Sequence, residues 1–372
     1  MTPTPQPARR LVFLDALRGF DMFWIMGADA IGGALGQLRG GILAKVASRQ
    51  LDHVPWQGYH AYDLIFPLFV FMAGVAIPLS LQKYLDSGDT RAALGRVLRR
   101  TVLLYVLGLL YYGGLAKSFD DLRLMGVLQR IALCYGAASV LFLYLRPKGL
   151  VATLAGLLVG YWLLLRFVPV PGFGPGDFAE GHNLTNWIDA HYLPWRKWDG
   201  DHDPEGLLST LPAIGTCLLG VLSGIYLRTT QRKGSALSLR LVVAGLVMLG
   251  LGLLWGLEFP IIKKIWTSTF VLVAGGWSLI LLGTFHQLID VLGWKKWAEP
   301  FVWIGANPLA LYLTSNLVDF GALSARFTGG PVAAGLNALW PGLGAITLAL
   351  TGAILCFLLA RFLYRKSVFI RL

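Results

Sequence analysis

The chain has 372 residues, 56% of them hydrophobic and 14% charged; a soluble globular protein carries roughly 25% charged residues, so a soluble monomer is excluded. Its 45 glycines and 18 prolines are scattered through long apolar runs, which excludes disorder. The net charge of +12 comes without a basic stretch interleaved with aromatics, so it argues against nucleic acid and for basic loops that hold one face of a membrane protein in the cytoplasm.

Polar, proline-rich residues 1–10 lead into a first expected span, 11–34, which carries Asp15, Arg18, Asp21 and Asp29. A signal-peptide core carries no such charges, so no cleavage is expected. Helical spacing places Asp15, Arg18 and Asp29 on one face. Asp15 and Arg18 read as an i, i+3 pair near the cytoplasmic surface, whereas Asp29, alone near the outer end, reads as a functional carboxylate.

Residues 35–61 form an outer loop that ends in D-H-V-P-W-Q-G-Y-H-A. There His53 and Trp56 precede the second span, 62–81, whose first turn holds Asp63 and whose Pro67 can bend it. His53 is the leading candidate for chemistry, because histidine changes charge near neutral pH and this one sits at the membrane surface, close in sequence to carboxylates. His60 has a weaker claim and no assignable partner.

Further spans are expected at 97–115, 124–145 and 150–168. The second of these holds Gln129 and Arg130 among apolar residues; Arg130 either neutralises a carboxylate of another span or presents its planar donors to a phosphate. A second outer loop, 169–206, mixes Trp187, Tyr192, Trp195 and Trp198 with Asp189, Asp199, Asp201, Asp203 and Glu205. Its aromatics suit a sugar face or a cation, or else form an interfacial belt. The run D-G-D-H-D-P-E starts like a calcium loop, but Pro204 and Thr210 stand where such a loop needs glycine and glutamate, so calcium is rejected and no metal is expected.

Spans at 207–227, 237–257 and 266–288 follow, then 300–318, which contains G-A-N-P-L-A-L-Y with Asn307, and finally 343–363. Residues 331–340 are too short to span and read as re-entrant or interfacial. Cys134, Cys217 and Cys356 fall inside apolar runs without metal or redox spacing and read as small core residues. The expected fold is all-α: a polytopic membrane bundle of about ten helices, one domain over 1–372, with both termini on the more basic, cytoplasmic side. No phosphate-binding P-loop, G-x-S-x-G elbow or H-E-x-x-H occurs, so coupling to ATP and the familiar hydrolase and zinc-protease mechanisms are unsupported.

Five ordered segments, L-D-A-L-R-G-F, H-V-P-W-Q-G-Y-H-A-Y-D-L-I-F-P-L-F-V-F-M-A-G, G-V-L-Q-R-I-A-L, D-P-E-G-L-L-S-T and G-A-N-P-L-A-L-Y, resemble the transmembrane acetyltransferases typified by lysosomal heparan-alpha-glucosaminide N-acetyltransferase and its bacterial relatives. The resemblance implies a bacterial inner-membrane enzyme that moves acetyl from acetyl-CoA to the amine of glucosamine or of a terminal glucosamine residue. In the family's H-x-x-W-x-G-x-x-x-x-D-x-x-x-P pattern, matched here by His53, Trp56, Gly58, Asp63 and Pro67, the histidine is regarded as catalytic, as general base or as acetyl-accepting nucleophile. Asp29 stands where the lysosomal type has an active-site asparagine, and its carboxylate could hold the substrate ammonium or orient His53. Trp56, Asp63, Trp195 and Trp198 would serve the acceptor, and Arg18, Gln129, Arg130 and Asn307 the acetyl-CoA. The lysosomal type has an extra N-terminal span and a lumenal domain, so the ten spans would correspond to a catalytic core; a homodimer stays open. Two other readings use the same residues: a secondary transporter of a sugar or small polar solute, weakened by the lack of an internal repeat, and an O-acyltransferase acting on cell-envelope glycans.

Overall fold

The computed structural model describes residues 11–39, 41–116 and 118–370, and among them it is all helical, without a β-sheet. In chain order the helices are α1 (Val12–Gln37), α2 (Ile42–Gln50), α3 (Ile65–Asp86), α4 (Thr90–Tyr111), α5 (Val127–Tyr144), α6 (Pro147–Phe167), α7 (Leu184–Tyr192), α8 (Thr210–Thr229), α9 (Ser235–Trp255), α10 (Ser268–His286), α11 (Glu299–Gly305), α12 (Pro308–Leu317), α13 (Phe320–Thr328), α14 (Pro331–Leu339) and α15 (Leu343–Arg365). Local chemistry sets many of the starts. The Asp89 and Asn183 side chains accept from backbone N–H groups in the first turns of α4 and α7, and Pro147, Pro308 and Pro331 sit in first turns, where a missing N–H costs nothing.

Seven helices among the described residues are long and apolar enough to cross a membrane: Ala61–Asp86, Val127–Tyr144, Pro147–Phe167, Thr210–Thr229, Ser235–Trp255, Ser268–Val291 and Leu343–Arg365. They coincide with seven of the ten expected spans. The other three differ for separate reasons. Helix α1, at 26 residues, and α4, at 22, have the length, but α1 carries Asp15, Arg18, Asp21 and Asp29, and α4 carries Arg91, Arg96, Arg99 and Arg100. The expected span 300–318 is not one helix: it breaks between α11 and α12, where Pro308 restricts Asn307 and a new helix begins. Helix α14, nine residues and about 13 Å long, is too short to span, as expected.

The chain forms two compact units. One comprises the described parts of Met1–Arg39, Arg232–Val243 and Leu279–Arg371; the other comprises those of Gly40–Gln231 and Ala244–Ser278. In the first, α1 packs on α11 and α15, while α13 and α14 pack on α15. Helices α1 and α11 touch backbone to backbone, since a Cβ on Gly19 would overlap the Phe301 carbonyl and one on Gly305 the Asp15 carbonyl. In the second unit α3 lies along α8, α5 packs on both α4 and α8, and α6 covers α8. All three cysteines are buried and free.

Candidate active site

The second unit holds the residues singled out around His53, and its assembly starts with a turn. At the head of the helix that continues into α3, residues Ala61–Leu64 form a 3₁₀ turn, and the Asp63 carboxylate reaches back to accept from the His60 N–H at 2.9 Å and the Val54 N–H at 3.1 Å through Oδ2. Those two bonds fix a side chain with no exposed surface and leave Oδ1 directed at His53, whose Nδ1 lies 2.7 Å away. The His53 side chain itself is 53% exposed and stacks on Tyr62, with ring centroids 4.5 Å apart. A buried carboxylate on Nδ1 selects the tautomer that carries its proton there and leaves Nε2 as the basic nitrogen.

A third group comes from far along the chain. Lys263 Nζ lies 3.1 Å from Asp63 Oδ1, 2.9 Å from His53 Nδ1 and 3.5 Å from His53 Nε2. Nδ1 cannot donate to Asp63 and accept from Lys263 at once, so the two compete for it. Backbone pairing holds them in register: Gly58 N–H donates to the Ile261 carbonyl at 2.8 Å, and Gln57 forms an antiparallel bridge with Ile262. Gly58 makes that contact with φ of +100°, a conformation glycine adopts without strain. Trp56, two residues earlier, donates through Nε1 to the Phe178 carbonyl at 2.9 Å and so ties the His53 loop to the loop 169–206. His60 has partners after all: its Nδ1 lies 3.0 Å from the Asp52 carbonyl, and its backbone N–H caps Asp63.

Beneath that loop lies a buried ionic cluster. Arg123 is bidentate on Asp203, with Nε 2.8 Å from Oδ2 and Nη2 2.6 Å from Oδ1, and Nη2 also meets Glu205 Oε2 at 2.5 Å. Its guanidinium is faced by the Tyr112 and Trp198 rings, each centroid 4.8 Å away. Burial alone would favour the neutral arginine, but the two carboxylates outweigh it and hold Arg123 firmly charged. Asp189, in α7, accepts from the Leu207 N–H at 2.8 Å, and its own burial pushes its pKa up to about 6 against those hydrogen bonds.

No protein-family profile matches the chain. Two curated proteins do: heparan-alpha-glucosaminide N-acetyltransferase of Homo sapiens, 28% identical over a stretch covering 72% of this chain and 49% of that protein, and its counterpart of Mus musculus, 27% identical over the same shares. The likeness extends over most of this chain. The chain spans about half the length of the curated relatives it matches.

The motif histidine of this chain has a defined carboxylate partner, and that partner is Asp63. The sequence offered Asp29 as a group to orient His53; the carboxylate in contact with the imidazole is Asp63, ten residues on, which the cap geometry aims at the ring. Asp29 lies in the first unit, exposed, on the wall of a cavity of about 880 Å³ shared with Gln37, Ser315, Asn316 and Asp319.

Of the residues expected to serve acetyl-CoA, Arg18 and Asn307 belong to the first unit and Gln129 and Arg130 to the second. Arg18 pairs with Asp15 at 3.3 Å, as the i, i+3 spacing suggested. Asn307 is already engaged: its amide donates to the Val368 carbonyl and accepts from the Ile370 N–H at 3.0 Å, fastening the segment after α15. Gln129 and Arg130 are both buried in the second unit. Gln129 donates to the Arg123 carbonyl at 3.2 Å, and Arg130 contacts no carboxylate directly among the described residues. It donates to the Gly206 carbonyl at 3.2 Å and to Ser209 Oγ, lies over the Trp266 ring, and keeps Nε and Nη1 without a hydrogen-bond partner among the described residues. Trp195, at φ of +64°, lies against Phe119, while Trp198 covers Arg123.

Proposed function

We propose that this chain is an integral membrane acetyltransferase that moves the acetyl group of acetyl-CoA to the amine of glucosamine or of a terminal glucosamine residue, with His53 as general base. The observation that carries the reading is the 2.7 Å contact between His53 and a fully buried Asp63 held by two backbone N–H groups. The relatives' names supply the reaction class, and the motif residues meet in the geometry that such chemistry needs.

In the proposed reaction the acceptor nitrogen attacks the thioester carbonyl as its proton passes to His53 Nε2. The C–N bond forms, the C–S bond breaks, and the proton goes from the imidazolium to the departing thiolate. Asp63 holds the ring and offsets the positive charge that develops on it. Lys263, 3.5 Å from Nε2 on the partly exposed side of His53, is positioned to stabilise the oxyanion of the tetrahedral intermediate. Attack by the amine on the thioester directly needs no acetyl-imidazole, although the same histidine could carry one. Both termini are assigned to the cytoplasm and His53 to the opposite face, from the distribution of basic loops. Asp29 is retained as a contributor to acceptor binding, on the strength of its place in the first-span motif.

The test is incubation of the purified protein with labelled acetyl-CoA and a panel of glucosamine, N-acetylglucosamine and a hydroxyl-only sugar. N-acetyl product from glucosamine alone supports the reading. Acetylation of the hydroxyl-only sugar would move it to O-acyl transfer, and no product from any acceptor would remove it.

A further inference from the structure

The acidic run rejected as a calcium loop folds around a histidine. His202 is only 5% exposed, and its Nδ1 lies 2.6 Å from Asp201 Oδ1. Its Nε2 is buried with no hydrogen-bond partner among the described residues. That nitrogen faces two carboxylate oxygens, Glu180 Oε1 at 3.6 Å and Asp199 Oδ2 at 3.7 Å. The three atoms all lie within 4.8 Å of one another.

We propose that Glu180, Asp199 and His202 form a binding site for a divalent transition-metal ion such as zinc, with Asp201 as the carboxylate that orients the imidazole. A tetrahedral ion with bonds of about 2.0–2.1 Å sets its donors about 3.3–3.4 Å apart, so the two His202 gaps close by a few tenths of an ångström, and the Glu180–Asp199 gap, within 4.8 Å, closes by at most about 1.5 Å. One imidazole and two carboxylates suit zinc and its neighbours, whereas calcium takes oxygen donors only. A histidine that ligates through Nε2 usually gives its Nδ1 proton to a carboxylate, and Asp201 stands there. The charge is consistent too: the Glu180 and Asp199 carboxylates carry the two negative charges that a divalent ion neutralises in place of Lys264.

Lys264 is the competitor. Its Nζ lies 2.8 Å from Glu180 Oε1 and 3.0 Å from Asp199 Oδ2, so it neutralises the carboxylates but gives His202 Nε2 nothing. A metal ion engages all three atoms, which requires the ammonium to turn aside. The bound ion would fasten the outer loop around Trp56, whose ring meets His202 edge-on at 6.4 Å and whose Nε1 is already held by Phe178. The proposal stands on coordination chemistry and is independent of the acetyl-transfer reading.

Equilibrium dialysis of the detergent-purified, EDTA-stripped full chain against zinc chloride, with metal quantified by mass spectrometry, tests it. One zinc per chain is expected for the wild type, at least tenfold weaker binding for His202→Gln and Glu180→Gln, and tighter binding for Lys264→Met, which removes the competing cation. His182→Gln, altering the surface pair of His182 with Asp177, should bind as the wild type does. Glu180 is 44% exposed, so its variant remains informative if His202→Gln fails to fold. Zinc should raise the melting temperature of the wild type and not that of Glu180→Gln. Absence of saturable binding in both the wild type and Lys264→Met overturns the proposal, as does binding lost in His53→Gln and unchanged in Glu180→Gln.

Discussion

Asp63 has no exposed surface and faces four donors of three kinds: two backbone N–H groups, one imidazole and one ammonium. Such a carboxylate is rigid because every lone pair has an assigned direction, and it transmits that rigidity to His53. Replacing His53 by alanine should lower turnover by roughly 100- to 10,000-fold, the usual contribution of a positioned base, with the melting temperature little changed; a variant with near wild-type turnover would take His53 out of the reaction. The charged groups facing His53 are Asp63, Lys263 and, through the His53 backbone N–H, Asp52. Lys263→Met removes the ammonium proposed to stabilise the oxyanion and should lower kcat by roughly 100-fold, the usual loss for one oxyanion donor. Asp63→Asn removes the carboxylate that holds the imidazole, so turnover should fall there too. Asp29→Asn should lower turnover less than Asp63→Asn, because the carboxylate on the imidazole is Asp63; an equal loss would contradict that assignment.

At the level of elements, α3 and α8 lie so close that a Cβ on Gly74 would overlap the Cys217 carbonyl and one on Gly220 the Phe71 carbonyl. Gly220→Val should therefore separate the helices that carry Asp63 and the base of the loop 169–206, read as loss of folded protein in detergent. That loop depends on Arg123. Breaking a buried ion pair from one side costs about 3–5 kcal/mol, so Arg123→Met should destabilise the protein by that order in thermal unfolding, with the loop 169–206 the first segment open to protease. Asp189 gives the same loop a pH dependence. Its folded pKa of about 6 is above the ordinary carboxylate value, so the folded form is favoured at low pH and that contribution is lost as pH rises from about 4 through 6. Asp189→Asn should flatten the stability profile across that window, and an unchanged slope would count against the assignment.

For the whole molecule, hydropathy alone makes the seven apolar spans legible in the sequence, because twenty apolar residues in a row have few alternatives in a bilayer. The break at Asn307 and Pro308 is also written locally, as an N-P dipeptide, but apolar flanks on both sides hide it. The H-x-x-W-x-G-x-x-x-x-D spacing brings His53, Trp56 and Asp63 into view together, since one turn and one loop connect them. Lys263 and Arg123 are not legible in this way. Each meets its partner across a long separation, 210 residues for Lys263 and His53 and 80 for Arg123 and Asp203, and each looks like an ordinary loop cation. Reporter fusions after Lys83 and after Trp198 should report opposite compartments; agreement between them would reject the proposed orientation.

The pairing of Gly58 with Ile261 and of His53 with Lys263 also imposes an order on biogenesis. At about 5–20 residues per second, a ribosome takes roughly 10–40 s to synthesise the 210 residues that separate His53 from Lys263. Through that interval Asp63 lacks its ammonium partner. A nascent chain arrested before residue 261 should leave the loop around His53 open to proteolysis, and one arrested well beyond residue 263 should protect it.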